Sequence, residues 1–120
     1  MTAPDRSFFH KAGPTGFLLV HGLGGTPVEL RYVAQGLARA GHTVHCCQLA
    51  GHCGTTKELR RSTWQQWFAS VEAAHDRLCA ECETIIVGGL SMGAVLALHL
   101  AYQRPDGIHG LALYAPSLRL

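Results

Sequence analysis

The chain has 120 residues, 48% of them hydrophobic and 15% charged, with a formal net charge of +2. That is one soluble domain's worth of chain with enough apolar material for a core, and too little charge for a disordered one. No lysine and arginine cluster alternates with aromatics, which excludes a nucleic-acid partner, and no run approaches a transmembrane segment; Met1 to Ser7 lack the apolar stretch of a signal peptide, so the expected location is cytoplasmic.

Residues 1–15 are expected to form an N-terminal arm on a single domain spanning 1–120. Ser7 to His10 suits a short edge strand or an extended arm, and Gly13-Pro14-Thr15-Gly16 a turn. Phe17-Leu18-Leu19-Val20 reads as the first buried strand and ends in His21-Gly22-Leu23-Gly24-Gly25-Thr26-Pro27. Pro27 fits the first turn of a helix that Val28, Leu30, Tyr32, Val33, Leu37 and Ala38 continue until Gly41 caps it. His42 to Leu49 is the second strand, followed by a glycine- and threonine-rich loop through Thr56, with Arg60-Arg61 as a solvated loop pair. Ser62 or Thr63 caps the next helix, along which Trp64, Trp67, Phe68, Val71, Ala74, His75 and Leu78 recur at helical spacing, the two tryptophans being expected in the core. Thr84 to Gly89 is the third strand, Met92 to Gln103 a helix, Pro105-Asp106-Gly107 a turn, and Ile108 to Ala115 the fourth strand. Strands alternating with helices predict an α/β fold with right-handed crossovers and a parallel sheet buried on both faces.

Two strings carry chemistry. Gly89-Leu90-Ser91-Met92-Gly93 follows a β-branched strand and opens an apolar helix, the context in which G-x-S-x-G marks an exposed, strained serine rather than ordinary close packing of a strand and a helix. A serine hydroxyl attacks a carbonyl only if a base stands beside it and donors stabilise the oxyanion it creates. The glycine loop after Val20 suits a turn that brings bare amides to a ligand. It is a poor nucleotide loop: the third glycine of the dinucleotide fingerprint falls on Pro27, and no Gly-Lys-Ser/Thr follows. Five cysteines, at positions 46, 47, 53, 79 and 82, do not form a disulfide framework, and Cys79-Ala80-Glu81-Cys82 lacks a second ligand pair. Cys46 and Cys47 are adjacent in a strand and point to opposite faces, which argues against a metal among His42, His45, His52 and their cysteine neighbours. No metal and no cofactor are expected.

With these strings in place the chain resembles the α/β-hydrolase family, in its esterase, lipase and monoacylglycerol-lipase-like branch, over nearly its whole length. Phe17 to Thr26 looks like that family's oxyanion loop, Gly51-His52-Cys53-Gly54 like its G-H-x-x stretch, and Gly89 to Gly93 like its nucleophile elbow; Cys53 stands where the G-H-G variant has glycine. The resemblance implies a strand order of 2-1-3-4, with Ser91 as nucleophile and the amides of Leu23 and Met92 as oxyanion hole. It makes Gly22, Gly89 and Gly93 supporting residues and His21 a brace for the loop backbone. It also implies a small-molecule ester substrate and an acyl-enzyme.

The family's order is serine, then carboxylate, then histidine. After Ser91 only Asp106, His99 and His109 qualify, and none is well placed: His99 lies about 12 Å along the helix axis, and Asp106 and His109 fall just before and at the start of the last strand, at the opposite edge of the sheet. His52 is the one surrogate base within reach, and Ser117 is read as solvent-facing. The chain therefore looks like an N-terminal half whose catalytic acid and histidine lie beyond it, with Leu111-Ala112-Leu113-Tyr114 as an exposed edge open to self-association. The alternatives are a non-catalytic fragment or binding protein on the same scaffold, or an acyltransferase or thioesterase.

Overall fold

Alternation along the strands feeds two separate cores, and that division decides the layering. The computed structural model describes residues 3–116, so Ser117 lies outside the described residues. Its strands are β1 (Phe8–His10), β2 (Thr15–Val20), β3 (Thr43–Cys47), β4 (Thr84–Leu90) and β5 (Gly110–Tyr114), and its helices are α1 (Arg31–Arg39), α2 (Thr56–Arg61), α3 (Trp64–Glu81) and α4 (Met92–Gln103). Short 3-10 turns at Pro27–Leu30 and Pro105–Gly107 complete it. Leu18, Val20 and Cys47 pack with Val71, Leu78, Leu96 and Leu100 of α3 and α4. Their neighbours Leu19 and Cys46 turn the other way, onto Leu30 and Ala34 beside α1. Each fully buried leucine or valine contributes about 1.5–3 kcal/mol relative to exposure.

The sheet order is β1-β3-β2-β4-β5. Its four longer strands run parallel in the order the resemblance implies. The sheet is nevertheless mixed rather than wholly parallel, because β1 lies antiparallel on β3 with Phe9 opposite His45. A strand that reaches the sheet edge without a helical crossover is free to run in either direction, and the arm supplies one. β5 has β4 on one side and, among the described residues, no strand on the other, leaving Leu111, Leu113 and Tyr114 between 37% and 49% exposed.

Two expectations need correcting. The loop after β3 contains a helix: Arg60 and Arg61 are its last turn, an exposed helical pair placed where cations complement the dipole. Its start is a capping box in which the Thr55 side chain accepts from the Glu58 amide and the Glu58 side chain accepts from the Thr55 amide. Trp64 is not core but 51% exposed, because it is the first residue of α3 and its ring meets His99 edge-on at the surface. Trp67 is partly buried and packs against the α3–α4 core. No helix among the described residues is long and apolar enough to cross a membrane.

What the fold does for the site is set by one register. β2 and β4 are parallel neighbours with Val20 opposite Gly89, so Gly22 and Ser91 each lie two residues past that pair, at the sheet's C-terminal edge. That edge is where open α/β sheets present ligand-binding loops.

Candidate active site

The turn at Ser91 is strained. Its φ of 57° and ψ of −117° lie in the left-handed half of the map, where a side chain costs of order 1–3 kcal/mol. Serine at a helix N-cap ordinarily has extended dihedrals and bonds the helix amides with its own oxygen. Here the inverted backbone forbids that, and the Ser91 side chain makes no capping bond to α4. Two backbone bonds secure the bend instead: the Ser91 amide donates to the Tyr114 carbonyl on β5 at 2.8 Å, and the Ala94 amide donates to the Ser91 carbonyl at 3.1 Å. Gly93 is obligatory, since a Cβ there would overlap the Val20 and His21 carbonyls, and a Cβ at Gly89 would collide with the Gly93 carbonyl. The bend is possible because β4 and α4 approach to backbone contact.

The glycine loop faces this turn. A Cβ built on Gly22 would stand 3.5 Å from the Ser91 Cβ and 3.5 Å from the Leu90 carbonyl oxygen. Within the loop the three glycine amides are engaged. Gly22 donates to the Glu29 carboxylate at 2.7 Å, Gly24 to the His52 ring at 3.0 Å, and Gly25 to the Gly22 carbonyl at 3.0 Å, closing a turn in which Gly24 takes a φ of +74°. A left-handed residue at that position is what a type II turn requires. Among the described residues no hydrogen bond takes up the Leu23 amide or the Met92 amide, the latter at the positive end of the α4 dipole. Leu23 itself is 54% exposed.

Two buried histidines stand behind the loop, their rings 4.9 Å apart. The Nε2 of His21 accepts from the Leu49 amide at 3.1 Å and its Nδ1 donates to the Gly22 carbonyl at 2.8 Å. His52 repeats the pattern, with Nε2 accepting from Gly24 and Nδ1 donating to the Ala50 carbonyl at 3.0 Å. An amide can only donate and a carbonyl only accept, so these partners assign the Nδ1–H tautomer to both rings. Burial holds the His21 pKa below the usual histidine value, with the neighbouring His52 acting in the same direction. His52, the surrogate base suggested by the sequence, has both ring nitrogens bound to backbone and is 2% exposed.

Three further histidines serve the structure away from this edge. His75 donates from Nε2 to the Gly107 carbonyl and receives Arg104 at Nδ1. His99 lies against Phe68, Trp64 and Tyr102 on the α3–α4 surface. His109 accepts from the Ile85 amide at the opposite end of β4 from Ser91. Asp106 sits exposed in the turn after α4, away from that edge. Burial pushes the thiols of Cys46 and Cys47 up to about 12, and all five cysteines are free. Among the described residues no three of His, Cys, Asp and Glu converge as a metal would need. Cys53, at the glycine position of the G-H-G variant, adopts a left-handed backbone with a φ of 66°, the region that favours glycine.

Glu29 and the second role of His52 were not legible in the sequence as contributors to the loop. Glu29 has a local signal, Thr26-Pro27-Val28-Glu29, in which Thr26 caps the 3-10 turn and an acidic residue sits in its first turn. The bond from Gly24 to His52 spans 28 residues and has no local signature.

A mostly parallel sheet in this order, with a strained serine between strand and helix and a glycine loop facing it from the adjacent strand, defines an α/β hydrolase. More narrowly, the chain belongs to the family described as serine aminopeptidase, S33 (Hydrolase_4), whose model matches residues 15–120. It is 46% identical over 99 residues to a thermostable monoacylglycerol lipase of Bacillus sp. (strain H-257), covering 82% of this chain and 40% of that protein. It is 33% identical over 101 residues to a carboxylesterase of Bacillus subtilis (strain 168), covering 83% and 41%. Among solved structures, one from work on LipS and LipT, two metagenome-derived lipolytic enzymes, superposes with a TM-score of 0.94 at 34% identity, covering 99% of this chain and 49% of that one. The chain thus spans less than half the length of each of these relatives.

Proposed function

We propose that this chain carries the nucleophile and oxyanion hole of a serine hydrolase acting on small carboxylic esters. The observation that carries the reading is the Ser91 turn, held at a φ of 57° at the head of α4 with Gly22 of the glycine loop facing it. Strain of this kind persists only where surrounding structure enforces it, and here Gly89, Gly93 and the bond to Tyr114 do so. The monoacylglycerol lipase and carboxylesterase relatives support an ester as substrate.

In this reading the Ser91 oxygen adds to the ester carbonyl carbon while its proton passes to a general base. The carbonyl oxygen, now negative, accepts from the Leu23 and Met92 amides, each worth about two to three orders of magnitude in rate by comparison with other oxyanion donors. The tetrahedral intermediate collapses by expelling the alcohol, which takes the proton back, and leaves Ser91 acylated. Water then adds to the acyl carbon and the acid departs, regenerating the hydroxyl. The base and the carboxylate that orients it come, in this reading, from residues beyond Leu120, because the histidines at the sheet's C-terminal edge already serve the loop backbone.

Hydrolysis of a short-chain p-nitrophenyl ester by the 120-residue chain and by its Ser91→Ala variant tests whether this half is chemically competent. Release of one equivalent of nitrophenol followed by slow turnover, lost in the variant, is expected of a chain that acylates without a full triad. Equal rates in the two proteins would assign the chain a non-catalytic role.

A further inference from the structure

The direction of the Leu23 amide is not set by Leu23. A peptide unit is planar and trans, so its N–H points opposite to its own C=O. The unit carrying the Leu23 amide has the Gly22 carbonyl at its other end, and that oxygen is gripped by His21 Nδ1 at 2.8 Å and by the Gly25 amide at 3.0 Å. The next unit carries the Leu23 carbonyl and the Gly24 amide, and its one hydrogen bond among the described residues runs from that amide to His52 Nε2 at 3.0 Å. The two planes meet at the Leu23 Cα, so fixing both of them fixes the backbone on each side of it. His21 holds the first and His52 the second.

We propose that His52 is a positioning residue for the oxyanion hole, acting through the Gly24 amide to keep the Leu23 amide aimed at the Ser91 turn; this rests on the ester-hydrolase reading above. His52 is built for the task. Its ring is 2% exposed, clamped edge-on between His21 at 4.9 Å and Trp67 at 5.8 Å, and its Nδ1–H is tied to Ala50. Trp67 is in turn fixed by donating from its indole nitrogen to Ser62 at 2.8 Å. The acceptor at Nε2 therefore has one orientation and one tautomer. This matters because Gly24 has no side chain to hold it, and a shift of about 1 Å in a transition-state donor can cost on the order of a hundredfold in rate.

Two variants separate positioning from packing. His52→Leu keeps a side chain of similar volume without an acceptor, whereas His52→Gln places its amide oxygen near the position of Nε2. In the protein as its gene encodes it, the rate at which a fluorophosphonate modifies Ser91 is expected to fall at least tenfold in His52→Leu and to stay within a few-fold of the parent in His52→Gln. In the 120-residue chain, 15N spectra are expected to show His52 with a protonated Nδ1 and an unprotonated Nε2, and His52→Leu to shift the Leu23 and Gly24 amide resonances. Equal modification rates in the Leu and Gln variants, an Nε2–H tautomer, or unmoved loop amides would each overturn the proposal. If the parent itself resists the phosphonate, the hydrolase reading falls, and the loop amide spectra alone decide whether His52 holds the loop.

Discussion

At the residue scale the molecule is governed by buried neutral histidines. His21 is fully buried and His45 is 8% exposed, and burial depresses both pKa values; Arg77 adds to the effect at His45. The unfolded chain therefore binds more protons than the folded one once the pH drops toward the ordinary histidine value of about 6.5. Stability from these groups is fully present above that value and is lost as the pH falls through their lowered folded values. Urea denaturation at pH ~7.5 and pH ~5 checks this, the expected result being a lower midpoint in acid. A midpoint that rises or stays level on acidification would contradict it. Most of this was hidden in the sequence. His21 was legible as a brace only through the resemblance of its glycine loop to the family's oxyanion loop, while the partner of His52 lies 28 residues away, and a hydrogen bond at that separation leaves no periodicity to read.

At the element scale, local signals succeeded where one period dominated. The apolar runs of β2 and β4 were legible because strands covered on both faces are continuously hydrophobic, and α1 stops where Gly41 and His42 return their amides to Ala38 and Leu37. The short α2 announced itself only in Thr55 and Glu58, a three-residue spacing easily lost among turn-forming residues. Trp64 shares the apolar spacing of α3, but the first turn of that helix extends past the core it covers further along. Glycines in two helices test how element packing constrains sequence. Gly93→Ala on α4 drives a methyl into the Val20 and His21 carbonyls and is expected to destabilise by about 3 kcal/mol or more. Gly36→Ala on α1 meets nothing within 4 Å and is expected to stabilise by about 0.5–1 kcal/mol through backbone entropy. Chemical denaturation of both variants measures the pair, and similar effects at the two sites would refute the close approach of α4 to the end of β2.

At the scale of the whole molecule, the sheet brings two separate strings to one edge, and neither string alone suffices. Ser91 comes from the turn after β4, the Leu23 amide from the loop after β2, and their adjacency follows from the parallel register of Val20 with Gly89. The other side of β4 leads to β5, whose apolar residues stand exposed. An edge of that kind predicts association of the 120-residue chain as concentration rises, read by sedimentation velocity and suppressed by Leu113→Lys, because a charge on an edge strand opposes pairing; a monomer at every concentration would contradict it. The central claim concerns Ser91, and one measurement addresses it most directly. The protein as its gene encodes it is treated with a fluorophosphonate and the adduct is located by peptide mass. The account predicts a single modified site at Ser91, absent in Ser91→Ala, whereas no adduct, or one elsewhere that survives the substitution, would contradict it.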